Sequence, residues 1–341
     1  MSSDLRIPVF LLTGFLGSGK TTLLNAALRA PALADSAVVV NELGEIGLDH
    51  LIVARAADNV VLLDAGCLCC VNTGALHETL ADLAGRRARA EVPPFARVII
   101  ETSGAADPAP ILNVLLGHPL VTASYALEAT VCTADAQHFL AARREHAELD
   151  RQAAFAERVA ITKADLAEPG PLRTVFAQLN PDAEIFVSTP QAPATGVFAP
   201  CARRRRPGAG IAALGPIRPH GRPSGIRAFA FRPAEPVTWA GWAAWSRHVS
   251  ARFGTRLLRV KGLLRMMETG EIALVHGVQG VFHRPERFAG WPDADQGNRL
   301  VCIARDLDPS EIEATLALLA APPGTPADSV SLDLDERRKA P

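Results

Sequence analysis

Along the first half of the chain, short apolar runs alternate with segments whose apolar positions recur every three or four residues. This is the pattern of strand–helix–strand units around a parallel sheet. It predicts strands over residues 8–13, 37–40, 60–63, 97–100, 126–132, 159–162 and 184–187, and helices over residues 20–29, 73–87, 151–158 and 171–179. Asn72 or Thr73 is placed to cap the second helix.

The pattern breaks after Ser188. Residues 189–224 are dense in Pro, Gly and Ala and carry four consecutive arginines from Arg203, as expected of a linker or long surface loop. A second pattern starts at Gly225. Residues 226–231 alternate like a strand, and Trp239, Trp242 and Trp245 form one stripe of a helix, read as core packing rather than a partner-binding face. Strands follow over 256–263, 271–276, 280–283 and 299–303, then a helix over 309–319 capped by Asp308. The expected fold class is α/β: a parallel sheet flanked by helices, plus a smaller C-terminal α+β domain. The predicted division is 1–188 for the first domain, 189–224 for the linker, 225–322 for the second domain and 323–341 for a frayed tail.

Composition narrows the classes. Of 341 residues 48% are hydrophobic and 21% charged, ample for a core, and the net charge of -1 gives no reason to expect nucleic acid or a membrane surface as partner. No stretch reaches the ~18–20 apolar residues of a membrane span, and the N-terminal apolar run leads into a Gly/Lys motif rather than a cleavage site. The expected location is cytoplasmic. Six cysteines are too few for a disulfide scaffold, and three of them crowd together at Cys67, Cys69 and Cys70.

The sequence GFLGSGKT over residues 14–21 fits the G-x-x-x-x-G-K-[ST] phosphate loop in full, between a predicted strand and a predicted helix. Gly14, Gly17, Ser18 and Gly19 would let backbone N–H groups curl around a phosphate, aided by the helix N-terminus. Lys20 can reach β- and γ-phosphate oxygens, the Thr21 hydroxyl can ligate Mg²⁺, and Thr22 beside it is a further candidate nucleotide-binding residue. Glu101, after an apolar strand, is placed to hold Mg²⁺ directly or through water, and Gly104 to let a backbone N–H approach the γ-phosphate. Ala105 stands where many GTPases carry a water-orienting Gln. Intrinsic hydrolysis should therefore be slow, or another group must orient the water.

Thr162, Lys163 and Asp165 lie at a further strand end and resemble the base-reading N-K-x-D element, with Thr162 in place of the usual Asn. Asp165 can accept from N1–H and the exocyclic amine of guanine, which adenine lacks, and Lys163 can lay its stem along the base. GTP is favoured over ATP, which argues against an ATP-dependent kinase-like protein. Cys67, Cys69 and Cys70 can converge on one soft cation such as Zn²⁺, though other transition metals remain open. The shell is incomplete without another group, with Glu45, Glu42 or a ligand from a partner protein the candidates, and an incomplete shell suits transfer. Buried inert thiols or a redox pair are the alternatives.

Together these residues resemble the CobW-like family of P-loop GTPases. The resemblance is carried by residues 12–22, 41–45, 66–70, 101–108 and 162–165, and in the second half by 258–262, 278–281 and 299–304. It implies GTP hydrolysis coupled to delivery of a metal, usually zinc, to a client metalloprotein, with Glu45, Cys67, Cys69 and Cys70 as metal-associated residues. Many members carry a His-rich stretch that this chain lacks; only His220 and the arginines stand there. The contrasting reading is a nucleotide-gated regulatory module that carries no metal.

Overall fold

A computed structural model of the chain describes residues 6–40, 61–64, 73–200, 225–234 and 236–322. Two compact units emerge: the first holds described residues 6–200, the second those from Gly225 onward. Glu45, Cys67, Cys69, Cys70 and the arginine run at 203–206 lie outside the described residues.

The first unit is built on seven parallel strands: β1 (Ile7–Gly14), β2 (Ser36–Val40), β3 (Val61–Asp64), β4 (Arg97–Glu101), β5 (Tyr125–Asp135), β6 (Arg158–Thr162) and β7 (Glu184–Val187). Their order is β3-β2-β4-β1-β5-β6-β7. Val9 to Leu12 of β1 are fully buried, the continuous apolar run that a strand covered on both faces requires. The connecting helices are α1 (Lys20–Leu28), α2 (Thr73–Ala88), α3 (Ala109–Gly117), α4 (Pro119–Ser124), α5 (Phe139–Ala142), α6 (Ala147–Phe155) and α7 (Gly170–Leu179). Strand β1 pairs with β4 on one side and β5 on the other, so Leu12 lies beside Glu101 and Gly14 beside Thr133. Strand order reverses here, and in such sheets ligands bind outside the carboxyl ends of the strands at this point.

Several sequence expectations need correction. The helix expected over 151–158 is α6, which begins four residues earlier and stops at Phe155. Asn180 ends it: its Nδ2 donates to the carbonyls of Ala153, Ala154 and Ala156, satisfying groups the last turn leaves over. Arg158 belongs instead to β6, where its buried guanidinium donates to the carbonyls of Val197 (2.6 Å) and Ala199 (2.7 Å). The expected linker therefore starts inside the first unit: Val197 and Phe198 are fully buried, and Phe198 meets Phe10 edge-on at 5.9 Å. Helices α3 and α4, each opening on proline-containing turns, leave no signature in the apolar spacing.

The second unit is a six-stranded antiparallel sheet: β8 (Ile226–Phe231), β9 (Leu257–Arg265), β10 (Ile272–Val278), β11 (Val281–Phe282), β12 (Glu286–Phe288) and β13 (Arg299–Arg305). Helix α8 (Trp239–Phe253) starts at a Thr238 cap that accepts from the Gly241 N–H at 2.8 Å. It lays Trp242 and Trp245 into the core against Phe282, as the tryptophan stripe implied, while Trp239 is only partly buried. Asp308 and Glu311 cap α9 (Pro309–Glu313) reciprocally, but the helix expected to reach 319 stops at Glu313 and continues as a 3₁₀ turn. Buried Thr315 interrupts it, its hydroxyl donating to the Ile312 carbonyl (2.6 Å) and accepting from Trp245 Nε1 (2.9 Å). No helix among the described residues is long and apolar enough to cross a membrane.

Candidate functional site

The loop after β1 turns because three of its glycines take backbone angles closed to other residues: φ is 142° at Gly14, 70° at Gly17 and 87° at Gly19, the cap of α1. At Gly14 the constraint is also spatial. A Cβ there would lie 2.2 Å from Thr133 Oγ1 and 2.7 Å from the Thr133 carbonyl. Hydroxyls fasten the loop from below: Ser18 Oγ and Thr133 Oγ1 share a hydrogen bond of 2.6 Å, and Thr102 donates to Thr13 at 3.2 Å. Lys20 is buried and donates through Nζ to the carbonyls of Gly14 (2.9 Å) and Phe15 (3.2 Å), which holds its charge inside the loop. Thr22 is exposed.

The loop after β4 arrives beside it. Glu101 is 3% exposed, and its Oε1 accepts from the Thr21 hydroxyl at 2.7 Å, so two residues 80 apart in sequence meet. Gly104 is buried against the phosphate loop itself; a Cβ on it would lie 2.6 Å from the Leu16 nitrogen. Cys132 lies on β5, the strand paired with β1. Burial pushes its thiol up to about 12, against the opposing pull of the Lys20 charge, so it stays protonated and inert.

The element after β6 is tied to the same loop. Thr162, buried, donates from Oγ1 to the Ser18 carbonyl at 2.7 Å. The residue that departs from the usual Asn therefore joins the phosphate loop to the loop expected to read the base. Lys163 has a left-handed backbone (φ 54°), and its Nζ donates to Asp135 Oδ2 at 2.6 Å. Asp135 also accepts from the N–H of Gln137 (2.8 Å) and pairs with His138 Nδ1 (3.0 Å). Desolvation pushes the Asp135 carboxyl upward, but its bonds to Lys163, His138 and Gln137 outweigh it and hold the group below the usual carboxylate range. Asp165 is exposed and makes no hydrogen bond or ion pair among the described residues.

The structure thus brings Gly14, Gly17, Ser18, Gly19, Lys20, Thr21, Glu101, Gly104, Thr162 and Lys163 to one end of the sheet. Residues 8–187, more than half of the chain, match the CobW/HypB/UreG nucleotide-binding domain. The chain belongs to the CobW/HypB/UreG family. Residues 226–319 match the C-terminal domain of the cobalamin synthesis protein cobW, so this CobW-type chain carries both parts. It is 34% identical over 184 residues to the zinc chaperone YjiA of Escherichia coli, covering 54% of this chain and 58% of that protein. It is 30% identical over 210 residues to the zinc chaperone CobW of Pseudomonas aeruginosa, covering 52% and 54%. The chain thus spans little more than half the length of these curated relatives. Among solved structures, the Zn(II)-bound YjiA GTPase from E. coli superposes with a TM-score of 0.66 at 25% identity, over 92% of this chain and 99% of that one.

Four residues that hold the loops of this candidate site escape sequence reasoning: Thr133, Asp135, Arg151 and Gln152. The first two sit near the end of an apolar strand, where a polar residue beside a phosphate loop is the available signal. Gln152 interrupts an apolar helical stripe between Leu149 and Phe155, and a buried amide in such a stripe is a signal of its own. Among the described residues no group of three or more His, Cys, Asp or Glu is arranged to hold a metal.

Proposed function

We propose that this protein is a GTPase metallochaperone that couples its nucleotide state to the binding of zinc and its delivery to a client metalloprotein. The observation that carries the nucleotide half is the Thr21–Glu101 contact of 2.7 Å beside the glycine loop. A hydroxyl and a carboxylate are hard oxygen donors, a set that fits Mg²⁺. Bound there, Mg²⁺ would supply charge neutralisation for the β- and γ-phosphate oxygens. Lys20 would bind those oxygens, the Gly14–Gly19 backbone would cradle them, and Thr162 would hold the base-reading loop in step with them. Asp165 would accept from guanine, and Lys163, steadied by Asp135, would flank the base.

The zinc half is supported by the likeness to the zinc chaperones YjiA and CobW and by the thiols at Cys67, Cys69 and Cys70 with Glu45, the positions the family resemblance implies. Zinc is cargo in this account, taken up by soft thiolates and given up to a client. Two measurements test the whole. Purified protein should hydrolyse GTP slowly and in preference to ATP, and should retain zinc that a Cys69→Ser variant loses. Hydrolysis without any thiol-dependent zinc would leave the regulatory module; no hydrolysis of either nucleotide would reject the proposal.

A further inference from the structure

Helix α6 approaches the nucleotide site with two consecutive side chains that the chemistry above does not use. Gln152 is 1% exposed, with Leu149 and Ala153 buried beside it. A buried amide must find partners, and Gln152 Nε2 donates to the carbonyls of Gly104 (3.0 Å) and Ala106 (3.1 Å). Its Oε1 is buried with no hydrogen-bond partner among the described residues, so the amide's bonding is committed to those two carbonyls. The preceding residue, Arg151, donates to Asp107 Oδ2 at 3.0 Å, and Asp107 Oδ1 accepts from the Ala109 N–H at the start of α3. One turn of α6 therefore grips the loop at 104, 106 and 107, and the residue passed over, Ala105, is exposed. The approach to α6 also carries His146, whose ring lies 4.7 Å from that of Phe15 in the phosphate loop. The helix and its entry thus touch both loops.

A trans peptide is planar, with its N–H antiparallel to its C=O. Holding the Gly104 carbonyl toward Gln152 therefore turns the Ala105 N–H away from α6. Because Gly104 abuts the Leu16 backbone, that direction is fixed relative to the phosphate loop. We infer that Gln152 is a positioning residue for GTP hydrolysis, setting the orientation of the Gly104–Ala105 peptide; this rests on the GTPase function proposed above. Gln152 touches no reacting atom and acts through the backbone it holds.

Two variants of similar size test it on the full chain. Gln152→Met removes both donors, and Gln152→Glu sets a carboxylate against two carbonyls. Misplacement of about 1 Å can cost up to ~100-fold; kcat for GTP should fall about tenfold in Gln152→Met and further in Gln152→Glu, with KM and GDP affinity within about threefold of wild type. The Gln152→Glu rate, relative to wild type, should rise as the pH is lowered from about 8.5 to 6.5, because a protonated carboxyl regains one donor. Arg151→Ala, which loosens the same loop at Asp107, should show a smaller loss of kcat and serves if Gln152→Glu fails to fold. Unchanged kcat in Gln152→Met and Arg151→Ala, or a rise in KM and a loss of GDP affinity as large as the loss of kcat, would overturn the inference alone. A wild type that turns over no GTP would overturn the proposed function and this inference with it.

Discussion

The two ends of the nucleotide site are built by different physics. At the phosphate end the chain is fixed by shape: glycines with positive φ, no room for a Cβ at Gly14 or Gly104, and short hydroxyl bonds beneath the loop. At the end proposed to read the base it is fixed by charge: Lys163, partly exposed, is drawn by an ion pair onto Asp135, and Asp165 stands exposed. Shape at backbone contacts gives an abrupt response to change, because nothing nearby can yield. Charge at a partly exposed pair gives a graded response, open to salt and pH. Thr162, bonded to the Ser18 carbonyl, is where the two regimes meet.

That contrast orders the expected effects of substitution. Gly14→Ala forces a methyl group into the Thr133 hydroxyl and carbonyl, and nucleotide binding followed calorimetrically should drop by ~100-fold or more, with unfolding easier by about 3 kcal/mol. Thr133→Ala should restore it only in part, since the carbonyl contact at 2.7 Å remains. Glu101→Gln keeps the shape but removes the charge beside Thr21, and single-turnover GTP hydrolysis should slow by ~100-fold. Thr162→Val removes the bond to Ser18 and leaves a buried carbonyl without it, so denaturant unfolding should show a loss of about 1–2 kcal/mol.

The smallest effect belongs to the base end. Asp135→Asn should weaken GTP binding only about three- to tenfold, with the difference shrinking as salt is raised. The pH dependence follows from the same pair. The folded pKa of Asp135 lies below its unfolded value of ~3.9, so its contribution is fully present above about pH 4 and is lost as pH falls through the lower folded value. Acid unfolding of Asp135→Asn should lack that component. A base end as intolerant as Gly14, or a phosphate end as forgiving as Asp135, would remove the distinction.

How much of this the sequence exposes depends on how local each contact is. The phosphate loop is legible because its glycines, Lys20 and Thr21 act within eight consecutive residues. Glu101 and Thr162 are legible as polar residues ending apolar strands. Thr133 and Gln152 are not, since they reach the loops from 115 and 48 residues away and only the strand order brings them there. The ends of α6 and α9 are hidden for the same reason: distant Asn180 and Trp245 decide where those helices stop. Apolar spacing records what a segment buries, not which remote side chain claims its last carbonyls.

If nucleotide and zinc are linked on one chain, as proposed, each must change the affinity of the other by the same factor. The direct measurement is the Zn²⁺ affinity of the full chain with a non-hydrolysable GTP analogue and then with GDP, with Cys69→Ser as control. A ratio of about fivefold or more that vanishes in Cys69→Ser is the predicted result; equal affinities in the two nucleotide states would contradict the account.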